Sequence, residues 1–253
     1  YADKYFLDLT YRIDGSSLFG ANRRYASFWS VGAMWNLSKE KFLQDVSWID
    51  NLQLKASYGT MGNSGISNYL AYGLTSTGRL YDGQTSWYMA SLSNPNLTWE
   101  TLEALNVGLN GRLFNRLTFN VEFYNKNTKD LLVQITPVPE IGVSSTYVNA
   151  GSVNNKGLEL ELGWQDQIGD FSYSINGNVS KLKNKVTYLD PSIYRLETGT
   201  YSYNNRMRTA FEVGYPIWYM RAYNYLGVDG EGRPMIEDIN GDGQIGDADR
   251  TFV

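Results

Sequence analysis

The stretch DINGDGQIGDAD, residues 238–249, sets oxygen-bearing side chains at the spacing of a twelve-residue calcium loop. Asp238, Asn240 and Asp242 take places 1, 3 and 5, Gly243 allows the sharp turn at 6, Gln244 offers a carbonyl at 7, and Asp249 stands at 12. Calcium is a hard cation that needs several oxygens at once, and this spacing converges them. Position 12 is Asp rather than the usual bidentate Glu, and no helical pattern flanks the loop. The same residues therefore also read as a run of Asx turns that need no metal.

Other groups offer less. Glu122, Glu159 and Glu161 are the carboxylate types used in acid and base catalysis, but they sit on the polar side of alternating segments, where a solvated face accounts for them. Arg23 and Arg24 would meet an anionic ligand, or water alone. Tyr69, Tyr72, Tyr81, Trp87 and Tyr88 crowd one long connection. Aromatic faces stack on sugar rings and give a partner large contact area, and tyrosines equally pack loops on one another. The chain has no histidine and no cysteine, which removes Ser-His-Asp and Cys-His catalysis, thiolate metal sites and disulfides. A net charge of -4 leaves no basic footprint for nucleic acid. The reading is a protein that is not an enzyme.

The elements that would position these groups are strands. In GLELELGW, residues 157–164, Leu158, Leu160, Leu162 and Trp164 alternate with Glu159, Glu161 and Gly163, so one file is apolar and the other polar. The pattern recurs at Tyr5 to Ile13, Phe28 to Leu37, Leu52 to Gly59, Leu105 to Leu113, Leu117 to Tyr124 and Phe171 to Ser180. Seven one-sided strands follow, with no sustained helical period. No apolar run approaches the roughly 18 residues of a spanning helix, so a membrane reading must rest on strands.

The connections take turns. SKEKFLQDVSW, Asn115 with Arg116, and DQIG are compact, whereas DGSSLFGANRR, the segment from Met61 to Thr98, PVPEIGVSSTYVNAGSVNNK and the tail are long. Short turns at one end and long loops at the other mark outer-membrane barrels, with the turns periplasmic and the loops extracellular. Tyr5, Tyr11, Trp29, Trp35, Tyr58 and Trp164 lie near the ends of the apolar files, where interfacial girdles would sit. The expected fold is all-β, an antiparallel transmembrane β-barrel segment. A soluble β-sandwich would hold the same polar files outward without strain.

Five ordered stretches are more specific: YRIDGSSLFGANRRYASFWSVGAMWNLSKEKFL (11–43), NPNLTWE (94–100), YNKNTKDLL (124–132), NAGSVNNKGLELEL (149–162) and the 238–249 loop. Together they resemble the SusC/RagA family of TonB-dependent outer-membrane transporters, over nearly the whole chain. The resemblance implies a large plugged barrel of about 22 strands. It implies a gram-negative outer-membrane importer, with a SusD-like surface lipoprotein that captures oligosaccharide or peptide cargo. Energy would come from the TonB-ExbB-ExbD complex.

Residues 1–253 are expected to form part of such a barrel, since nothing in them resembles the plug, the TonB-binding segment or the closing strand. Residues 189 onward would start on the extracellular side, and the 238–249 loop stays there if the segment around Pro216 to Gly227 is a surface excursion rather than a span. A secreted calcium-dependent β-sandwich carbohydrate-binding module is the alternative, and a small self-contained porin or enzyme a third reading. Lipid on the apolar files sets one further expectation. Arg at Leu109 or Leu160 should cost ~2 to 4 kcal/mol, while Arg at Asn110 or Gly163 should be tolerated.

Overall fold

In a computed structural model, the chain is described over residues 1–135, 137–143, 145–201 and 207–252. Thr136, just before the loop expected after the fifth strand, and Ser144 within it lie outside the described residues, as do residues 202–206 and 253 of the long tail. The chain divides into two compact units, Tyr1–Lys183 and Asn184–Val253.

Among the described residues, nine strands begin in the first unit: β1 (Tyr5–Gly15), β2 (Tyr25–Asn36), β3 (Ile49–Asn63), β4 (Thr75–Tyr81), β5 (Gln84–Met89), β6 (Glu100–Leu113), β7 (Leu117–Ile135), β8 (Thr146–Ile168) and β9 (Phe171–Leu189). Seven of them form one sheet in the order β1-β2-β3-β6-β7-β8-β9, and β4 pairs with β5 as a separate hairpin. All seven alternating segments of the sequence are strands of the large sheet. Neighbours pair in chain order and antiparallel wherever a turn or loop returns the chain.

The register carries the alternation across strands. Leu7, Ala33, Ala56, Val107, Phe123 and Leu158 face one another in one row, and Asp8, Gly32, Ser57, Asn106 and Tyr124 in the next. A slip of one residue would turn every side chain of a strand over, so these rows fix the register. The β6–β7 turn is tight: Phe114 and Asn115 both have positive φ, 57° and 54°. That left-handed pair suits the twist of a hairpin. It is held by Asn115 N–H donating to Asp50 Oδ2 at 2.5 Å, Arg112 donating to the Asn115 carbonyl at 2.7 Å, and Trp48 stacking on Phe114.

At the other end, NPNLTWE works as a clasp. Gly20 and Asn22 donate their backbone N–H groups to the carbonyls of Leu97 and Pro95, and Trp99 Nε1 donates to the Arg24 carbonyl at 3.2 Å. Asn94 donates from its backbone to Ala71 and from its side chain to the Tyr147 carbonyl, while Asn149 both gives to and receives from Thr98. Phe19, Phe28 and Trp99 close over this junction as a buried aromatic core. The loop after β1, the connection carrying β4 and β5, and the start of β8 are thereby tied to one segment.

The second unit has a four-stranded antiparallel sheet in the order β10-β11-β12-β15, made of β10 (Leu196–Tyr201), β11 (Met207–Phe211), β12 (Tyr219–Tyr223) and β15 (Arg250–Phe252). A hairpin, β13 (Tyr225–Val228) with β14 (Pro234–Ile236), precedes the acidic loop. Glu197 receives Arg195 at 2.9 Å and Arg208 and Arg221 at 2.7 Å. Asp247 receives Arg250 at 2.7 Å, with Arg208, Arg195 and Arg221 between 3.5 and 3.6 Å. Burial pushes the Glu197 carboxyl up, but the surrounding guanidinium groups outweigh it and hold the carboxyl below its usual range. The 238–249 loop is thus fastened at Asp247 to three strands of its own sheet.

Replacing Gly20 with Ala should spring the clasp. An added Cβ would lie 2.1 Å from the Pro95 carbonyl oxygen, a backbone atom that cannot turn aside. Hydrogen–deuterium exchange in the full receptor is expected to quicken at residues 16–24 and 94–99 and stay unchanged in the β6–β7 ladder. Unchanged exchange in those loops would contradict the tie.

Candidate functional site

The candidate site is the sheet itself, taken with the loops at one end. On one face, the apolar files stand open: Leu7 is 69% exposed, Leu158 50% and Ile175 66%. Exposure on this scale over several strands is far beyond the patches a soluble surface tolerates. The opposite face curls around a trough of about 1650 Å³. Asp8, Lys55, Asn106, Asn120, Glu122 and Glu161 line it, joined by Asn176 and Asn178. The sheet is therefore concave on its polar side and convex on its apolar side, as a barrel wall must be when its lumen is wet.

Aromatic rings mark the ends of the apolar files. Tyr5 stacks on Trp35, and both donate to Glu40 Oε1, at 2.7 and 3.1 Å. Those bonds, Tyr5 foremost and then Trp35 and Lys4, hold the Glu40 carboxyl below its ordinary range. Toward the long-loop end, Trp29 packs edge-on against Tyr58, and Tyr11 donates to Ser27. Rings with a polar edge and an apolar body suit both borders of a hydrocarbon slab.

Glu122 lies directly across the β7–β8 pair from Glu159, and Glu161 across from Asn120. Two facing carboxylates on a wet wall form a negative patch. Gly163 departs from the expectation set for it. A Cβ there would stand 2.5 Å from Thr118 Oγ1 and 2.8 Å from Asn176 Oδ1, so Arg would collide even though the position faces the trough. Glu161 is exposed on the same file and is the better control for a lumen substitution.

Tyr69 and Tyr72 are brought together edge-on, and Arg24 donates to the Tyr72 hydroxyl at 3.4 Å. Arg23 is exposed beside the clasp. Tyr81, Trp87 and Tyr88 are instead carried on the β4–β5 hairpin, a strand pair inside what reads in the sequence as a plain long loop. Trp87 faces Thr77 and Tyr81 faces Gln84. Tyr81 and Trp87 are 79% and 75% exposed, and Tyr88 is half-buried.

In the acidic loop, Asp238 Oδ1 accepts from the backbone N–H of Gly241 and Asp242, and Oδ2 from Gly243 at 2.7 Å. Asn240 joins Asp242 twice, and Asp242 Oδ1 accepts from Gln244 N–H. Asp249 is fully buried, accepting from Gly246, Ile239 and Asn240 N–H groups. These backbone donors, Gly246 first, outweigh burial and keep its carboxyl below the usual range. No group of three or more acidic, histidine or cysteine side chains is gathered for a metal among the described residues.

The family model described as "TonB dependent receptor-like, beta-barrel" matches residues 1–249. Among curated relatives, TonB-dependent receptor P3 of Formosa agariphila is 34% identical over 276 aligned positions, covering all of this chain and 28% of that protein. TonB-dependent receptor SusC of Bacteroides thetaiotaomicron is 30% identical, covering 98% of this chain and 26% of that protein. A solved structure of the RagAB peptide transporter superposes with a TM-score of 0.85 at 30% identity, over 99% of this chain and 28% of that one. The chain spans about a quarter of the length of the relatives it matches. The open seven-stranded sheet, apolar outside and polar within, is accordingly a length of barrel wall, and the chain belongs to the TonB-dependent receptor β-barrel family.

Proposed function

We propose that this chain is a section of the wall of an outer-membrane importer for nutrient oligomers, energised through TonB, ExbB and ExbD. The observation that carries the proposal is the two-faced curved sheet: an exposed apolar row runs across six strands while amides and carboxylates line the trough behind it. A β-sandwich carbohydrate-binding module would need a second sheet over that row, and within Tyr1–Lys183 the row stays exposed. The wall does its work by binding and by enclosing a path, with no bond chemistry of its own.

The long-loop end is then extracellular. Its clasped loops and exposed hairpin present Tyr69, Tyr72, Tyr81, Trp87 and Tyr88 to a SusD-like surface lipoprotein or to the cargo it hands over. Cargo is a glycan or a peptide; the naming of one structural relative as a peptide transporter favours the peptide. β12 and β13 have five and four residues, about half of the 9–11 a crossing strand needs, which supports keeping the acidic loop outside.

That loop carries a narrower proposal, a calcium ion held by Asp238, Asn240, Asp242 and the Gln244 carbonyl, with Asp249 on the far side of the turn. Its support is the spacing and the turn that already gathers Asp238, Asn240 and Asp242. Asp249, satisfied by amides, would brace the loop more than ligate.

Purifying the full receptor from its native membrane should require detergent and should co-isolate a surface lipoprotein with bound oligomer, identified by mass spectrometry. A receptor that is water-soluble, or that comes alone under gentle conditions, would count against import. In that same preparation, Leu160→Arg should cost ~2 to 4 kcal/mol and Glu161→Arg little; equal tolerance would contradict lipid on the apolar side. Calcium at about 1 mM, the weak end of such sites, should slow hydrogen exchange at residues 238–249, and Asp242→Asn should abolish the slowing. No response to calcium would leave the loop a set of Asx turns.

A further inference from the structure

The outward file of β9 does not stay apolar to its end. Phe171, Tyr173, Ile175 and Val179 give way on the same side to Lys181 and Lys183. On β8 that file runs from Trp164 through Leu162, Leu160 and Leu158 and then reaches Lys156. On β7 it passes Phe123 and turns to Asn125 and Asn127. Asn125 faces Lys156 across the pair, and Asn154 donates to the side chains of Asn125 and Asn127 at 2.6 and 2.5 Å. Three adjacent strands therefore change from apolar to basic and amide side chains toward their long-loop ends.

Lys156, Lys181 and Lys183 are exposed, and none has an acidic partner within 4.0 Å among the described residues. Lys129, on the same side of β7, is instead paired with Glu103 at 2.6 Å. At the short-turn end of these strands there is no such excess of cations: Arg116 meets Asp166 at 3.0 Å, and the β8–β9 turn adds the carboxylate of Asp170. The strands β1 to β3 show no such cluster: past the apolar stretch their outward files carry Ser27, Tyr25 and Thr60. An excess of positive charge thus stands at one border of the apolar belt and on one sector of the wall. Lysine stems run along apolar surface while their ammonium groups reach the headgroup level, where phosphate is the matching anion.

We infer that Lys156, Lys181 and Lys183 form a docking patch for a phosphorylated lipid headgroup in the leaflet at the long-loop end. Continuity with the apolar belt commits the patch to a lipid: acyl chains would lie on Leu158, Leu160 and Val179 beneath a phosphate held by the ammonium groups, with the Asn125 amide beside it. This inference rests on the outer-membrane reading given above.

The test uses the full receptor with its partners, placed in lipid nanodiscs and examined by native mass spectrometry with lipid A and with the same lipid dephosphorylated. The wild-type protein should prefer the phosphorylated form by about tenfold or more. Replacing the lysines together as K156Q, K181Q and K183Q should bring that ratio near one, and K41Q in the short turn between β2 and β3 should leave it unchanged. A triple variant with the wild-type preference, or a wild type with no preference, would overturn the patch. Failure of the receptor to enter nanodiscs at all would instead overturn the outer-membrane reading.

Discussion

Hydrocarbon offers no partner to a backbone N–H or C=O, so a chain that crosses it as strands must place every such group in a ladder and every apolar side chain on one side. That constraint accounts for most of what this sheet is. It explains why neighbours pair in chain order, since consecutive antiparallel pairing leaves no interior strand with an empty edge. It explains why Leu7, Ala33, Ala56, Val107, Phe123 and Leu158 share a row, and why the next row holds Asp8, Ser57 and Asn106. β1 and β9 are the edges of the described sheet.

The two ends of the wall answer to different demands. At the short turns, the problem is local: reverse the strand in few residues and close the interface with rings, as Phe114 with Asn115 and the Tyr5, Trp35 and Glu40 group do. At the long loops, the problem is to give many residues a fixed arrangement without a core of their own. NPNLTWE answers it by offering carbonyls and a tryptophan to the loop after β1 while the backbone and side-chain amides of Asn94 donate to the Ala71 and Tyr147 carbonyls. In the second unit, arginines do the equivalent work, gathering Glu197 and Asp247 so that the acidic loop is held at one point.

The wall was legible in the sequence because a period of two is a local signal: GLELELGW declares both faces in eight residues. Loop asymmetry was legible for the same reason, being a matter of length along the chain. The clasp was not. NPNLTWE stood out as a motif, but its partners Gly20, Ala71 and Tyr147 lie far away in sequence and only tertiary pairing reveals them. Arg195, Arg208, Arg221 and Arg250 are likewise scattered, each unremarkable alone. The β4–β5 hairpin was hidden by weak alternation, broken at Gly78 with its positive φ and a register shift beside it. The obstacle at Gly163 came from Thr118 and Asn176 on neighbouring strands, which no reading of GLELELGW by itself contains.

The orientation of the two faces is what the account depends on, and fluorescence can measure it. A small fluorophore attached at Val107, in the assembled receptor within a bilayer, should be quenched by a lipid bearing its quencher near mid-chain and untouched by a water-soluble quencher. One at Asn106, a single residue earlier, should show the reverse. Quenching of Val107 from water, with Asn106 reached from lipid or neither reached at all, would contradict a wall whose apolar rows look out on hydrocarbon.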